Sequence, residues 1–368
     1  MKKKILAVIL TLAMIMTMFS GCGKKDSTYF KEVKEMCKIT TGTSATELSM
    51  TYSGEENYDI LKDKEGNQSI KAKYETIIES EKKVGIKISL KLGQEEEYSE
   101  LTTMVIDEKT LYLTVSPIVE TIKKIDASMA EQVQTMLTQM AIGDSVSLNL
   151  DQLMTALGTE MPEASEEVKK DGVEFLNTVF ETVEKDFGVL QGQDGDDYTL
   201  TFSGDNADKA VDAVTTFLTN DAQNLIDEYN KIVEKVYGSD NEMTKQIKAM
   251  TDEMSEQIPD AAENVKNSKE DVVKEMKDSK LNIVSKAQVS GKDGSRVGKI
   301  SLTTGDIESD GEKANVSITS EIKEGKPEIK GMIPENASDI TTMLVAMLNQ
   351  FSSYGTGVDG AEDGLTIE

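Results

Sequence analysis

The chain has 368 residues, a formal net charge of −27 and a hydrophobic fraction of 38%. A surface this acidic repels phosphate backbones and anionic headgroups, which excludes nucleic acid as a partner. Histidine is absent. That removes the commonest general base, the usual zinc ligand and every Ser–His or Cys–His nucleophile pair.

Met1 is followed by Lys2, Lys3 and Lys4, then by an uncharged and mostly apolar run, Ile5–Phe19, and then by Ser20, Gly21 and Cys22. A basic start, an apolar middle and small residues at a cut are the order of a secretory signal. The run is shorter than the roughly 20 apolar residues of a spanning helix. Phe19-Ser20-Gly21-Cys22 resembles the lipobox of bacterial lipoproteins, with Phe19 in place of the usual leucine. The resemblance implies removal of residues 1–21, lipid on the Cys22 thiol, and a protein held on the extracytoplasmic face of a cell membrane. The alternative is a plain secretory signal with an incidental cysteine. Residues 22–28 read as a polar tether. Cys37 is the one other cysteine, so no intramolecular disulfide is available.

An α+β domain is expected over 29–351, opening on a short helix with Tyr29, Phe30, Val33, Met36 and Cys37 at helical spacing. Cys37 falls on the apolar stripe and reads as an inert buried thiol. From about 45 to 115 the period is two. Leu48, Met50 and Tyr52 alternate with Ser49 and Thr51, and Ile70, Ala72, Tyr74 and Thr76 with Lys71, Lys73 and Glu75. Val84, Ile86, Ile88, Leu90 and Leu92 alternate likewise. One apolar and one wet face predict an antiparallel meander.

Residues 117–280 read as a large helical middle. Pro117 suits a helix start, because its missing N–H would be unpaired there. Ile118, Ile122, Ile125, Met129, Val133, Met136 and Met140 mark helical segments, and Val146–Leu150 a short strand. Phe175, Val179, Phe180 and Val183 mark another helix. Tyr198, Leu200 and Phe202 form the second arm of a hairpin that turns at Asp194-Gly195. A long helix is expected from Ala207 to Tyr237. Met243, Ile247, Met250, Met254 and Ile258 form a stripe expected to pack on neighbouring helices or on the sheet. Strands return over 281–332. A closing helix spans Ala337–Phe351, and 352–368 is an acidic, glycine-rich tail expected to be disordered.

No catalytic signature emerges, and the chain does not read as an enzyme. Glu95–Glu97, Asp194–Asp197 and Glu308–Glu312 are acidic clusters, but none has the ligand spacing of a calcium loop, and all read as solvated turns. Ser80 with Lys83, and Ser320 with Lys323, have Ser-x-x-Lys spacing in charged surroundings that would not lower a lysine pKa. Gly355–Gly360 spells G-x-G-x-x-G without the strand before it or the helix after it. No metal or cofactor is expected. The 19 methionines include several on helical stripes. Flexible thioethers suit adaptable apolar grooves as well as cores.

The lipobox, the meander Ala45–Val115 and a closing strand and helix, Ile329–Phe351, together resemble the lipoprotein-carrier fold of LolA, LolB and LppX. That resemblance implies a curved antiparallel sheet with helices in its concave side and an apolar cavity between them. No family binding residue can be carried onto a position of this chain. Two functions follow as expectations. One is a membrane-anchored module sheltering a lipid or acyl chain between sheet and helices. The other is a structural or protein-interaction lipoprotein of the cell envelope with a solid core and an exposed apolar patch.

Overall fold

Period-two runs become strands and period-3.6 runs become helices, in segregated blocks, so the chain folds as α+β. The computed structural model describes residues 28–54, 58–156, 165–309 and 312–355. It shows a curved, unclosed sheet, mainly antiparallel, packed on helices. Cys22, residues 310–311 and the tail from 356 onward, with most of its G-x-G-x-x-G, lie outside the described residues.

The described residues divide into two compact units, whose ranges along the chain are these. The first takes residues up to 79, 88–99 and 162–327. It holds β1 (Gly42–Ser53), β2 (Gln68–Ser80) and the second half of β3 (Lys83–Leu92). The second takes 80–87, 100–161 and 328–368. It holds nearly all of β4 (Ser99–Asp107), then β5 (Thr110–Thr114) and β6 (Ser145–Asn149).

In the first unit β7 (Gln191–Asp194), β8 (Asp197–Ser203), β9 (Asn282–Ser290), β10 (Val297–Thr303) and β12 (Glu312–Glu324) complete an antiparallel array in the order β2-β1-β12-β10-β9-β8-β7. The short β11 (Ile307–Ser309) pairs with β12. Register sets the faces, because directly opposed residues project to the same side. Ala287 opposes Ile300, Ser285 opposes Leu302, and Leu302 opposes Ile318. Leu48 of β1 in turn opposes Ile318 and Ala72. The other face carries Lys286, Lys299, Glu321, Glu47 and Lys73.

The helix α1 (Tyr29–Met36) is bolted onto the apolar face. The Tyr29 hydroxyl shares a 2.6 Å hydrogen bond with Ser285, and the Glu32 carboxylate accepts the Val289 N–H at 2.6 Å. Burial pushes the Tyr29 phenol up to about 12, with Ser285 opposing the shift. Gly298 lets Met36 close on β10. A Cβ there would stand 2.5 Å from the Met36 Cγ. Cys37 is half-buried, its Sγ donating to the Val33 carbonyl at 3.3 Å.

Around α1 the core is filled by α5 (Glu166–Phe187), α6 (Ala207–Asn220) and α9 (Lys269–Asp278) against β8 and β9. Phe187 meets Phe202 and Phe217 at ring-centroid distances of 6.2 and 5.9 Å. Leu200, Ile283 and Ala287 are buried beneath them. Ser203 and Asn206 make a reciprocal capping box at the entry to α6.

The helix expected from Ala207 to Tyr237 is two helices, α6 and α7 (Ala222–Tyr237), meeting at Asp221. No glycine or proline announces the break. Asp221 is drawn to Lys185 of α5 at 2.7 Å, a contact between elements that local sequence does not encode. Pro259 does the reverse, lying inside the continuous α8 (Glu242–Asn267). Such a proline forfeits one helical hydrogen bond and normally bends its helix.

The second unit has the order β4-β5-β6, with the two-residue β13 (Ser338–Asp339) parallel to β6. Helices α2 (Ser116–Ile125), α3 (Ala127–Gln139), α4 (Leu150–Ala156) and α10 (Thr341–Gly355) accompany it. Pro117 stands in the first turn of α2, and Asp126 caps α3 by accepting the Met129 N–H at 3.0 Å. The buried side of this helix pair is Val119, Thr121 and Ala130. Ile125, Met129 and Met136, expected on its apolar stripe, are exposed. The strand expected over 328–332 is a 3-10 turn at Lys330–Met332. Pro327 and Pro334 flank it and deprive a ladder of donors there, while Ile329 is buried as an anchor. Thr341 is fully buried, and its hydroxyl accepts the Asn149 N–H at 2.8 Å. The helix α10 continues to Gly355, four residues into the segment expected to be disordered.

Candidate interaction surface

The long helix α8 carries the methionine stripe, and its packing decides what the stripe is for. Successive residues step about 100° around a helix. Met243, Met250 and Met254 therefore share one flank, and Thr244, Thr251 and Ala262 another about a quarter-turn away. It is the second flank that is buried. The Thr251 hydroxyl donates to Asn230 of α7 at 2.9 Å, and the Thr244 hydroxyl donates to the Gly238 carbonyl at 2.7 Å. Lys248 pairs with Glu234 of α7. Small polar side chains and an ion pair thus hold α8 to α7.

The methionines stay outside, with Met250 68% and Met254 58% exposed. This corrects the expectation that the stripe packs on neighbouring helices. The apolar arc is wider than the contact, and Ile247, Ile258 and Ala261 on it are half-buried.

The flank is also free of charge along its length. Met243, Gln246, Ile247, Met250, Met254, Gln257, Ile258 and Ala261 lie on it, while Glu242, Lys245, Asp252, Glu256, Asp260 and Glu263 point elsewhere. In a chain of net charge −27 that is an apolar lane between charged banks. A groove of about 510 Å³ lies beside it and shares Ile258, lined otherwise by Leu218 and Thr219 of α6, Gln223 of α7, and Pro259, Ala262, Glu263, Lys266 and Asn267 of α8.

A second apolar surface lies on the sheet. Met50 and Ile70 are cross-strand partners on the face that elsewhere buries the core, yet they are 47% and 36% exposed. The wet face of the same sheet has a trough of about 430 Å³, lined by Lys73, Lys286, Lys299, Glu47, Asp197 and Glu321 among others. Its lysines are already engaged. Lys73 holds Glu75 at 2.9 Å, Lys286 holds Asp194 at 2.5 Å, and Lys299 holds Glu321 at 3.5 Å. Beside Glu47 the Tyr98 phenol is pushed up to about 12, by burial first and then by that carboxylate.

The residues singled out for chemistry do not assemble. Ser80 and Lys83 flank a hairpin turn, where the Ser80 hydroxyl accepts the Lys82 N–H at 3.3 Å and Lys83 lies 3.4 Å from Asp107. Ser320 and Lys323 project to opposite faces of β12. Ser320 bonds Thr46 at 2.8 Å and Lys323 holds Glu321 at 2.6 Å. Asp194 turns the β7–β8 hairpin, and the Glu95 carboxylate accepts the Leu92 N–H at 3.0 Å. Among the described residues no group of three or more Asp, Glu or Cys side chains could hold a metal ion.

Sequence reasoning missed Asp186. Its side chain is 1% exposed beside Lys185 and Asp221. A signal was present, because Val179, Val183, Asp186 and Leu190 step by four, three and four along an apolar stripe.

No protein-family model, curated protein or solved structure matches the chain. The fold by itself gives the class, an α+β protein with a curved, mainly antiparallel sheet and a large helical middle.

Proposed function

We propose that the chain is a membrane-tethered protein of the cell envelope, anchored through lipid on Cys22 on the extracytoplasmic face, that works by protein interaction and not by catalysis. The observation that carries this is the uncharged flank of α8, where Met250 and Met254 stand exposed on a helix otherwise dense in charge. Contiguous apolar surface of this kind marks interaction sites, and methionine adapts to the partner it meets. The solid packing of α1, α5, α6 and α9 on β8–β10 supports the same reading, because the core fills that interface.

A second reading, shelter for a lipid or acyl chain, is favoured by the exposed Met50–Ile70 pair on the core face of the sheet. One experiment separates the two. A photo-crosslinking amino acid is placed at Met250 or at Met50 in the full chain in its host. A discrete protein adduct from position 250, lost when Met254→Lys is added, supports the interaction reading. Lipid adducts from position 50 with none from 250 would replace it with the carrier reading. Metabolic labelling with a fatty acid tests the anchor. Label is expected on the wild-type chain and not on the Cys22→Ala form, and an unlabelled wild-type chain would refute lipidation at Cys22.

A further inference from the structure

Asp186 occupies the last turn of α5, in line with Val179 and Val183, and its side chain is 1% exposed. Its Oδ2 is buried without a hydrogen-bond partner. Two charged groups face it. Lys185, on the same helix, lies 3.7 Å from its Oδ1. Asp221, from the α6–α7 junction, bonds the same ammonium at 2.7 Å. Glu184, two residues before Asp186, is turned to the Thr28 hydroxyl, which donates to it at 2.9 Å. Two carboxylates therefore depend on one lysine, which is itself 60% exposed.

Burial first, and then the Asp221 charge, hold the Asp186 acid above the ordinary aspartate range, with Lys185 opposing them. Like charges this close cannot both ionise freely, and a proton on one removes the conflict. No third carboxylate joins them to make a metal site among the described residues.

The junction gives the pair its leverage. The helix α6 ends at Asn220 and α7 starts at Ala222. The Asp221 N–H is bonded to the Phe217 carbonyl at 3.0 Å, and its side chain caps neither helix. The Asp221 carboxylate is instead the tie from this bend to α5.

We infer that Asp186 and Asp221 form an acid-strengthened clasp, in which a proton taken up by Asp186 lets its carboxyl donate to Asp221 and draws the α6–α7 bend onto the end of α5. Because the folded pKa is raised, the stabilisation is complete below the ordinary aspartate range. It is lost as pH rises through the raised value. The helical part of the first unit is therefore held more tightly in acid than at neutral pH.

Hydrogen exchange tests this on the full chain at pH 4.0 and 7.5, corrected for the intrinsic pH dependence of exchange. Protection of residues 217–224 should rise several-fold on acidification, and Asp186→Asn should abolish the rise. The same variant should unfold roughly 2–4 °C higher than wild type at pH 7.5 and converge with it in acid. A flat or falling protection in wild type overturns the clasp, as does an equal rise in Asp186→Asn. Should that variant fail to fold, the Asp186 carboxyl carbon is titrated by NMR in the wild-type chain. A midpoint above the ordinary aspartate range is expected, and one at or below it refutes the proposal.

Discussion

The substitution Tyr29→Phe removes one hydroxyl from the place where the chain first enters the core. The lost contact is the 2.6 Å bond to Ser285, whose hydroxyl keeps a second bond to the Ser301 carbonyl at 3.1 Å. Because Ser285 is not orphaned, the cost at neutral pH should be about 1 kcal/mol, the ordinary net worth of a buried hydrogen bond. The larger effect comes in alkali. The Tyr29 phenol is pushed up to about 12 from an ordinary 10. Its neutral form is favoured in the fold, so that stabilisation is complete below pH 10 and lost as pH rises toward 12. Two pKa units correspond to on the order of 2–3 kcal/mol of stability lost from wild type. The bare phenyl ring of the variant has nothing to ionise, so the variant escapes that loss. The other tyrosines and the lysines titrate in both chains and cancel in the difference. Urea unfolding followed by circular dichroism at pH 8, 10 and 11.5 measures it. Wild type should be the more stable at pH 8, and the order should reverse at 11.5. Parallel loss in both chains would refute the account of α1 as a buried, hydrogen-bonded bolt.

Gly298→Ala should destabilise by about 1–3 kcal/mol, because the new methyl falls 2.5 Å from the Met36 Cγ and 3.0 Å from the Ile322 Cγ2; adding Met36→Ala should return part of the loss in a double-mutant cycle. Thr341→Val keeps the shape of a fully buried side chain but leaves the Asn149 N–H without its acceptor. About 1–3 kcal/mol should go, read as faster amide exchange at Asn149 than at Leu200 in the first unit. Met250→Lys with Met254→Lys should change the unfolding free energy by less than about 0.5 kcal/mol, since both side chains are exposed. A large loss in that pair would mean that the flank is covered within the chain and is not a docking surface.

Much of the architecture was legible because its rules are local. Alternation fixed β1, β2, β8, β9, β10 and β12, and the stripe from Tyr29 to Met36 announced α1 and its buried face. Pro117 and Asp194-Gly195 marked a helix start and a turn by backbone chemistry alone. The break at Asp221 was not legible, because no glycine or proline marks it and the lysine that Asp221 meets there, Lys185, is a neighbour in space but far along the chain. The segment 328–332 alternates like a strand, yet two flanking prolines and the burial of Ile329 make it a turn. For α8 the sequence showed an amphipathic stripe but could not say which arc of it would be covered. Thr244, Thr251 and Ala262 won that contact, because small side chains allow close approach and the threonine hydroxyls find partners.

The sequence by itself determined most of the secondary elements, the α+β class and the exclusion of histidine-based chemistry, since each depends on residue type and period. Only tertiary structure decided the strand order, the exposure of the methionines and the burial of Asp186. Those depend on which surfaces meet, and no local pattern in the chain records that.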